Sequence, residues 1–263
     1  MNHRLKLTLL ACLVSPFFAA GQEVPHGSSA RYGLTLGVSF YQARDEVLNG
    51  LRHRGPSISA GLFREGVSDV AMQCVEISFA FALLTDRYSP DRTSMLFRPA
   101  IEFRYAKRAV EISEDFSLFL GGRVGWNSRF SFYENWDQAH AYWLTSSHLG
   151  LAASLVRRLD NGTAFRLELD APLLAVVSRP PERFEYKEVN PDLGWVFREI
   201  HSDPRITSIH EHTAVTATLS YLRPGGGFLG HRIFWQTDFT STRLPNSRPF
   251  SSLSHTLGVS YPF

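Results

Sequence analysis

Apolar residues stand at every second position through roughly ten separate stretches of this chain, a period of two that belongs to strands and not to helices. Tyr32, Leu34, Leu36, Val38 and Phe40 alternate with Gly33, Thr35, Gly37 and Ser39. Val75, Ile77, Phe79, Phe81 and Leu83 alternate with Glu76, Ser78, Ala80 and Ala82. The pattern recurs within 101–105, 118–124, 149–155, 165–169, 215–221, 233–239 and 257–263, with a weaker instance at 58–62. These stretches approach the about nine to eleven residues that a tilted strand needs to cross a bilayer, and exceed the usual strand of soluble proteins.

The connections alternate as well. Short ones fall near 65–69, 107–115, 160–162 and 223–230; longer ones fall near 42–55, 86–93, 127–140, 178–205 and 244–251. Short turns at one end and long loops at the other are the asymmetry of an outer-membrane barrel. The expectation is an all-β, antiparallel up-and-down transmembrane β-barrel of about ten strands, occupying residues 22–263 as one unit. An even strand count puts both termini on the short-turn side, which is periplasmic in such a barrel. The long surface loops would be those near 127–140 and 178–205. In the second, Phe184, Tyr186, Trp195 and Phe197 flank Asn190, Pro191 and Asp192, which predicts a small hairpin over the mouth. Two further membrane strands there would make twelve. A soluble β-sandwich is the other fold that alternation allows.

One turn tests the register. In RRLDNGTAF a two-residue Asn161-Gly162 turn would pair Ser154 with Leu169 and mix the two faces. A three-residue loop, Asp160-Asn161-Gly162, pairs Leu159 with Thr163, Leu155 with Leu167, Ala153 with Leu169, Ser154 with Glu168 and Ala152 with Asp170. Both faces are then consistent, and Gly162 takes the left-handed position of a bulged turn.

The first 21 residues read as a secretory signal peptide: Arg4 and Lys6, an apolar run from Leu7 to Phe18, then Ala19, Ala20 and Gly21. About twelve apolar residues broken by Pro16 cannot span a bilayer. Cys12 after Leu9-Leu10-Ala11 offers a lipid anchor as a rival reading. Without the leader Cys74 stands alone, so neither a disulfide within the chain nor a cysteine-based zinc site can form. A net charge of +2 gives no reason to expect nucleic acid, and no cofactor is called for.

The chain ends SHTLGVSYPF, with Leu257, Val259, Tyr261 and Phe263 on one face. That ending resembles the C-terminal β-signal of bacterial outer-membrane barrel proteins, over about ten residues. Pro262 departs from the pattern and weakens the closing seam, since proline donates no ladder hydrogen bond. The resemblance implies a Gram-negative outer membrane, the barrel-assembly machinery as partner during insertion, and contact with membrane lipid and lipopolysaccharide. A monomer is expected.

Alternation assigns an inward charge network: Glu76, Glu102, Glu168, Asp170 and Asp238 against Arg104, Arg123, Arg166 and Arg232. A lumen of about ten strands is only slightly wider than side chains can fill, so these charges should pair. The mouth offers Asn135, Asp137, His140, His148, His201, His210 and His212. His210 and His212, two apart, would share a strand face and could join His140 or His201 in binding a metal. Ser146 and His148 could make a nucleophile and base, but the register puts His148 opposite Leu174, beyond reach of Glu168 and Asp170. The expected role is a non-enzymatic envelope protein that binds through its loops or has a structural role. An outer-membrane hydrolase and a narrow solute channel are the alternatives.

Overall fold

The computed structural model describes residues 29–46, 52–86, 93–133, 140–179, 184–185, 204–224, 230–245 and 247–263. Ten long strands form the wall: β1 (Ser29–Asp45), β2 (Arg52–Val67), β3 (Ala71–Asp86), β4 (Thr93–Ser113), β5 (Phe116–Tyr133), β6 (His140–Arg158), β7 (Ala164–Ser178), β10 (His212–Leu222), β11 (Arg232–Thr242) and β12 (Phe250–Pro262). Two short strands, β8 (Phe184–Glu185) and β9 (Arg205–Ser208), add to β6 and β7. All pairings are antiparallel, and β12 returns to β1 and closes the barrel.

Following the pairings once round gives its geometry. Ser29 faces Val67, then Met72, Ala106, Gly121, Ala152, Asp170, Thr216, Asp238 and Ser254, and the path returns to β1 at Tyr41. Returning twelve positions further along β1 on a ten-strand wall tilts the strands by about 40°. Every partner on that path from Val67 onward lies on the inner face.

The outer face is apolar. Leu36, Val38, Phe40, Ile58, Phe79, Leu83, Leu151, Leu169, Trp235 and Leu257 are all exposed there. On β1 the band runs from Tyr32 to Phe40, about 20 Å of height at this tilt. The inner face buries Ser57, Ser154, Thr218, Ser220, Ser254 and Ser260 beside its charges.

The three-residue turn is present. Leu159 N–H donates to Thr163 O (2.9 Å) and Gly162 N–H to Leu159 O (2.9 Å). The four side-chain pairings across β6 and β7 are those the register requires, and Gly162 has φ +77°. A Cβ at Gly162 would meet only Pro224 at 3.6 Å, so a substitution there costs backbone strain alone. Gly162→Ala is expected to lower stability by about 1–2 kcal/mol, and Gly162→Asn by less, in urea titrations of the refolded barrel.

Several expectations need correction. The strands run from 11 residues in β10 to 21 in β4, so the wall continues beyond any membrane-thick band. The described part of the predicted mouth hairpin, Phe184–Glu185, pairs with His140 and Ala141 of β6, extending that strand's ladder. Tyr186, Trp195 and Phe197 lie outside the described residues, as does the 1–21 leader. β7 carries a bulge: Leu149 faces Leu174 while Gly150 faces Pro172, leaving Leu173 unmatched. Pro172 has no N–H for the ladder, and the extra residue absorbs the mismatch. His148 consequently faces Ala175, not Leu174. At the seam the ladder continues past Pro262, because Phe263 N–H donates to Tyr32 O at 2.9 Å.

Candidate functional site

The lumen is layered. At the short-turn end Met72, Ala106 and Phe119 pack together, with Val67 and Val156 against them. Across the barrel the Phe63 ring lies over Gly33 and the Phe234 ring over Gly258, which only a missing Cβ permits. At the loop end Tyr41, Ala82, Leu84 and Leu96 form one apolar cluster. Tyr142, Leu144, Ala175, Val177, Leu244 and Phe250 form another. Ala43 touches both, joining them across the mouth.

Between these layers sits the charge network. Arg104 donates to both Glu168 and Asp170. Glu168 also accepts from Arg232 (2.7 Å) and lies 3.9 Å from Arg166, which itself donates to Glu65 at 2.5 Å. Arg123 donates to Glu102 (2.8 Å), approaches Asp170 (3.8 Å) and reaches His148 Nε2 (2.8 Å). Asp238 lies 3.6 Å from Arg98 and accepts from Thr216, Gln236 and Ser254 at 2.9–3.1 Å. Pairing of this density is what a low-dielectric interior demands of buried charge.

Glu76 departs from it. It sits directly across from Glu102 on β4, and no hydrogen bond or ion pair reaches it among the described residues. It lines a cavity of about 160 Å³ together with Cys74, Ser78, Arg98, Thr216 and Gln236. That space is polar and large enough for a few water molecules.

The layer extends beyond the residues that alternation singled out. Glu65, Arg98 and Arg129 belong to it, and each continues an inward series already visible: Gly61 to Glu65, Arg98 to Glu102, Arg123 to Arg129. Arg129 donates to Ser252 and to Thr240 (2.7 Å), with its guanidinium 5.5 Å from the Phe250 ring centre. Nearer the mouth Arg179 donates to Asp45 at 2.8 Å and covers Tyr142.

The mouth residues do not converge. His210 is exposed on the turn between β9 and β10, whereas His212 is buried at the start of β10 with Nδ1 2.9 Å from Thr242 Oγ1. The two therefore share no strand face, and no grouping of three metal-ligating side chains occurs among the described residues. Asn135, Asp137 and His201 lie outside the described residues, and of His140 only the backbone is described. Ser146 and His148 both face inward, but Ser146 Oγ donates to Asn127 Oδ1 (3.1 Å) while His148 engages Arg123. A nucleophile activated by His148 would need the hydrogen bond that Asn127 takes. Leu257, Val259 and Tyr261 stand on the outer face of β12, and Phe263 is exposed beyond it.

No family model matches the chain, and no curated protein matches it. Among solved structures it is similar to the outer membrane protease OmpT from Escherichia coli, with TM-score 0.49 and 8% identity over 91% of this chain and 98% of that one. It is also similar to the translocator domain of the autotransporter NalP from Neisseria meningitidis, with TM-score 0.42 and 8% identity over 99% and 98%. The β domain of the Bordetella autotransporter BrkA gives TM-score 0.38 and 12% identity over 89% and 100%.

Proposed function

We infer that this chain is a monomeric integral β-barrel of a Gram-negative outer membrane, with a lumen that does not conduct and an envelope role exercised through its wall and loops. The observation that carries the reading is the layering: an ion-paired interior between two apolar layers, inside a wall whose outer face is apolar. An exposed apolar band of this kind is stable only against lipid or a partner. The cavity beside Glu76, about 160 Å³, is far short of a bore through a wall of this height. In this reading both termini face the periplasm, and the long connections face outward. Catalysis has no support from Ser146 and His148, whose hydrogen bonds run to other groups.

The test is reconstitution. The refolded protein should give a band on electrophoresis that moves only after boiling. In planar bilayers it should give no unitary current steps, and vesicles carrying it should retain trapped sugars. Steady unitary steps would overturn the sealed lumen. Absence of the heat-modifiable form in every lipid would overturn the membrane barrel.

A further inference from the structure

The outer wall is not evenly charged at its loop end. Residues 42–54 and 243–249 hold Arg44, Arg52, Arg54, Arg243 and Arg248 against two acids, Asp45 and Glu46. Asp45 is spoken for on the inside, where it is buried against Arg179. Of these two acids only Glu46 is left for the outside, with Glu211 of the adjoining β9–β10 turn beside Arg243, whose backbone N–H donates to Glu211 O at 2.7 Å. Arg44 lies 3.4 Å from its carboxylate, and Arg248 donates to its backbone oxygen at 3.2 Å. All five arginines are exposed. Arg44 and Arg52 are direct cross-strand partners, so two like charges stand side by side at this rim.

Their position selects the anion. Arg44, Arg52 and Arg54 continue the outward series of β1 and β2. Going down the wall, Arg54 is followed by Pro56 and then Ile58, and Arg44 by Gln42 and then Phe40. Ile58, Phe40 and the neighbouring Leu83 are exposed apolar residues. The cations therefore stand at the upper edge of the apolar band and face sideways, not into the mouth. A ligand that meets both must carry acyl chains below and phosphate above, and guanidinium is the side chain best suited to phosphate. The sequence balance is reversed over residues 180–203, which contain six acids and three bases.

We propose that the β11–β12 and β1–β2 sector of the wall is a binding site for the phosphates of lipid A, the phosphorylated glycolipid of lipopolysaccharide, held by Arg44, Arg52 and Arg54 with Arg243 and Arg248 at its flank. The site rests on the membrane reading above and assigns to named residues the lipopolysaccharide contact that the chain's ending implies.

Thermal loss of the heat-modifiable band tests it, in phosphatidylcholine vesicles with or without lipid A. Lipid A should raise the midpoint by about 5 °C for the native protein. The rise should vanish for the Arg44→Gln, Arg52→Gln, Arg54→Gln triple variant and for dephosphorylated lipid A, with midpoints in phosphatidylcholine unchanged. An equal rise in the triple variant, or with dephosphorylated lipid A, overturns the site. An equal rise with phosphatidylglycerol overturns lipid A as the ligand in favour of unspecific anion binding. A protein that inserts with no response to lipid A overturns this proposal alone, whereas failure to insert in any vesicle overturns the membrane reading and the site with it.

Discussion

Glu168→Gln is expected to lower the stability of the refolded barrel by about 3–5 kcal/mol, read as a fall in the urea midpoint with the slope unchanged. Glu168 is almost wholly buried, and two guanidinium groups donate to it, from Arg104 and Arg232. A third, Arg166, lies within 3.9 Å. Glutamine keeps the volume but withdraws the charge and turns an N–H₂ toward one of these donors. Arg232 is then left without a carboxylate, while Arg104 keeps only Asp170 and Arg166 only Glu65, and salt screens such buried groups poorly. The pair of half-buried Arg108 and exposed Glu111, at 2.9 Å on the β4–β5 hairpin, is the comparison. There Glu111→Gln should change stability by no more than about 0.5 kcal/mol, because solvent compensates either state. Equal effects at the two sites would mean that the interior network is hydrated and the lumen open.

The parts of this network that alternation revealed and the parts it hid have a common cause. Period-two patterning is strongest where one face meets an apolar surrounding, so Glu102, Arg104, Arg123, Arg166 and Glu168 were legible between conspicuous Leu, Phe and Val neighbours. Arg129 lies further along β5, Arg179 just past the end of β7, Asp45 at the end of β1 and Glu65 near the end of β2. At those heights the outer residues are themselves polar, such as Arg44 and Arg64, and the contrast between faces disappears. The bulge at Leu173 was hidden for another reason. Nothing in the run Pro172-Leu173-Leu174 says that two successive leucines both point outward, though both are exposed. The proline that makes an ordinary ladder unfavourable there is the only trace of it.

Turns followed the same logic. Asp160-Asn161-Gly162 was legible because seven residues on either side had to keep their faces, which left one loop length. The segment between β9 and β10 had no such constraint. Reading His210 and His212 as neighbours on one face assumed a strand through residues that form a turn, and the turn sends one to solvent and the other into the wall.

Gly121→Val is expected to cost about 3 kcal/mol or more, while Gly122→Val, one residue along, should fall within about 0.5 kcal/mol of the native protein. A Cβ built on Gly121 would stand 2.0 Å from Tyr105 O and 2.5 Å from the Ala106 Cα. Both are main-chain atoms of the paired strand β4, so no rotamer change relieves the contact and the β4–β5 ladder itself must part. If the wall sits in lipid as proposed, water cannot replace its hydrogen bonds, which raises the cost further. On Gly122 the nearest obstacle is Gly150 O at 3.4 Å, and the added side chain points outward to join Leu120 and Val124. Valine also suits a strand better than glycine, which offsets part of any strain. Both variants change the same residue type by the same atoms at adjacent positions. Any difference between their urea midpoints therefore reports the direction in which the wall faces. Similar losses at both sites would contradict the inner and outer assignment of β5, and with it the register that carries Arg123 into the lumen.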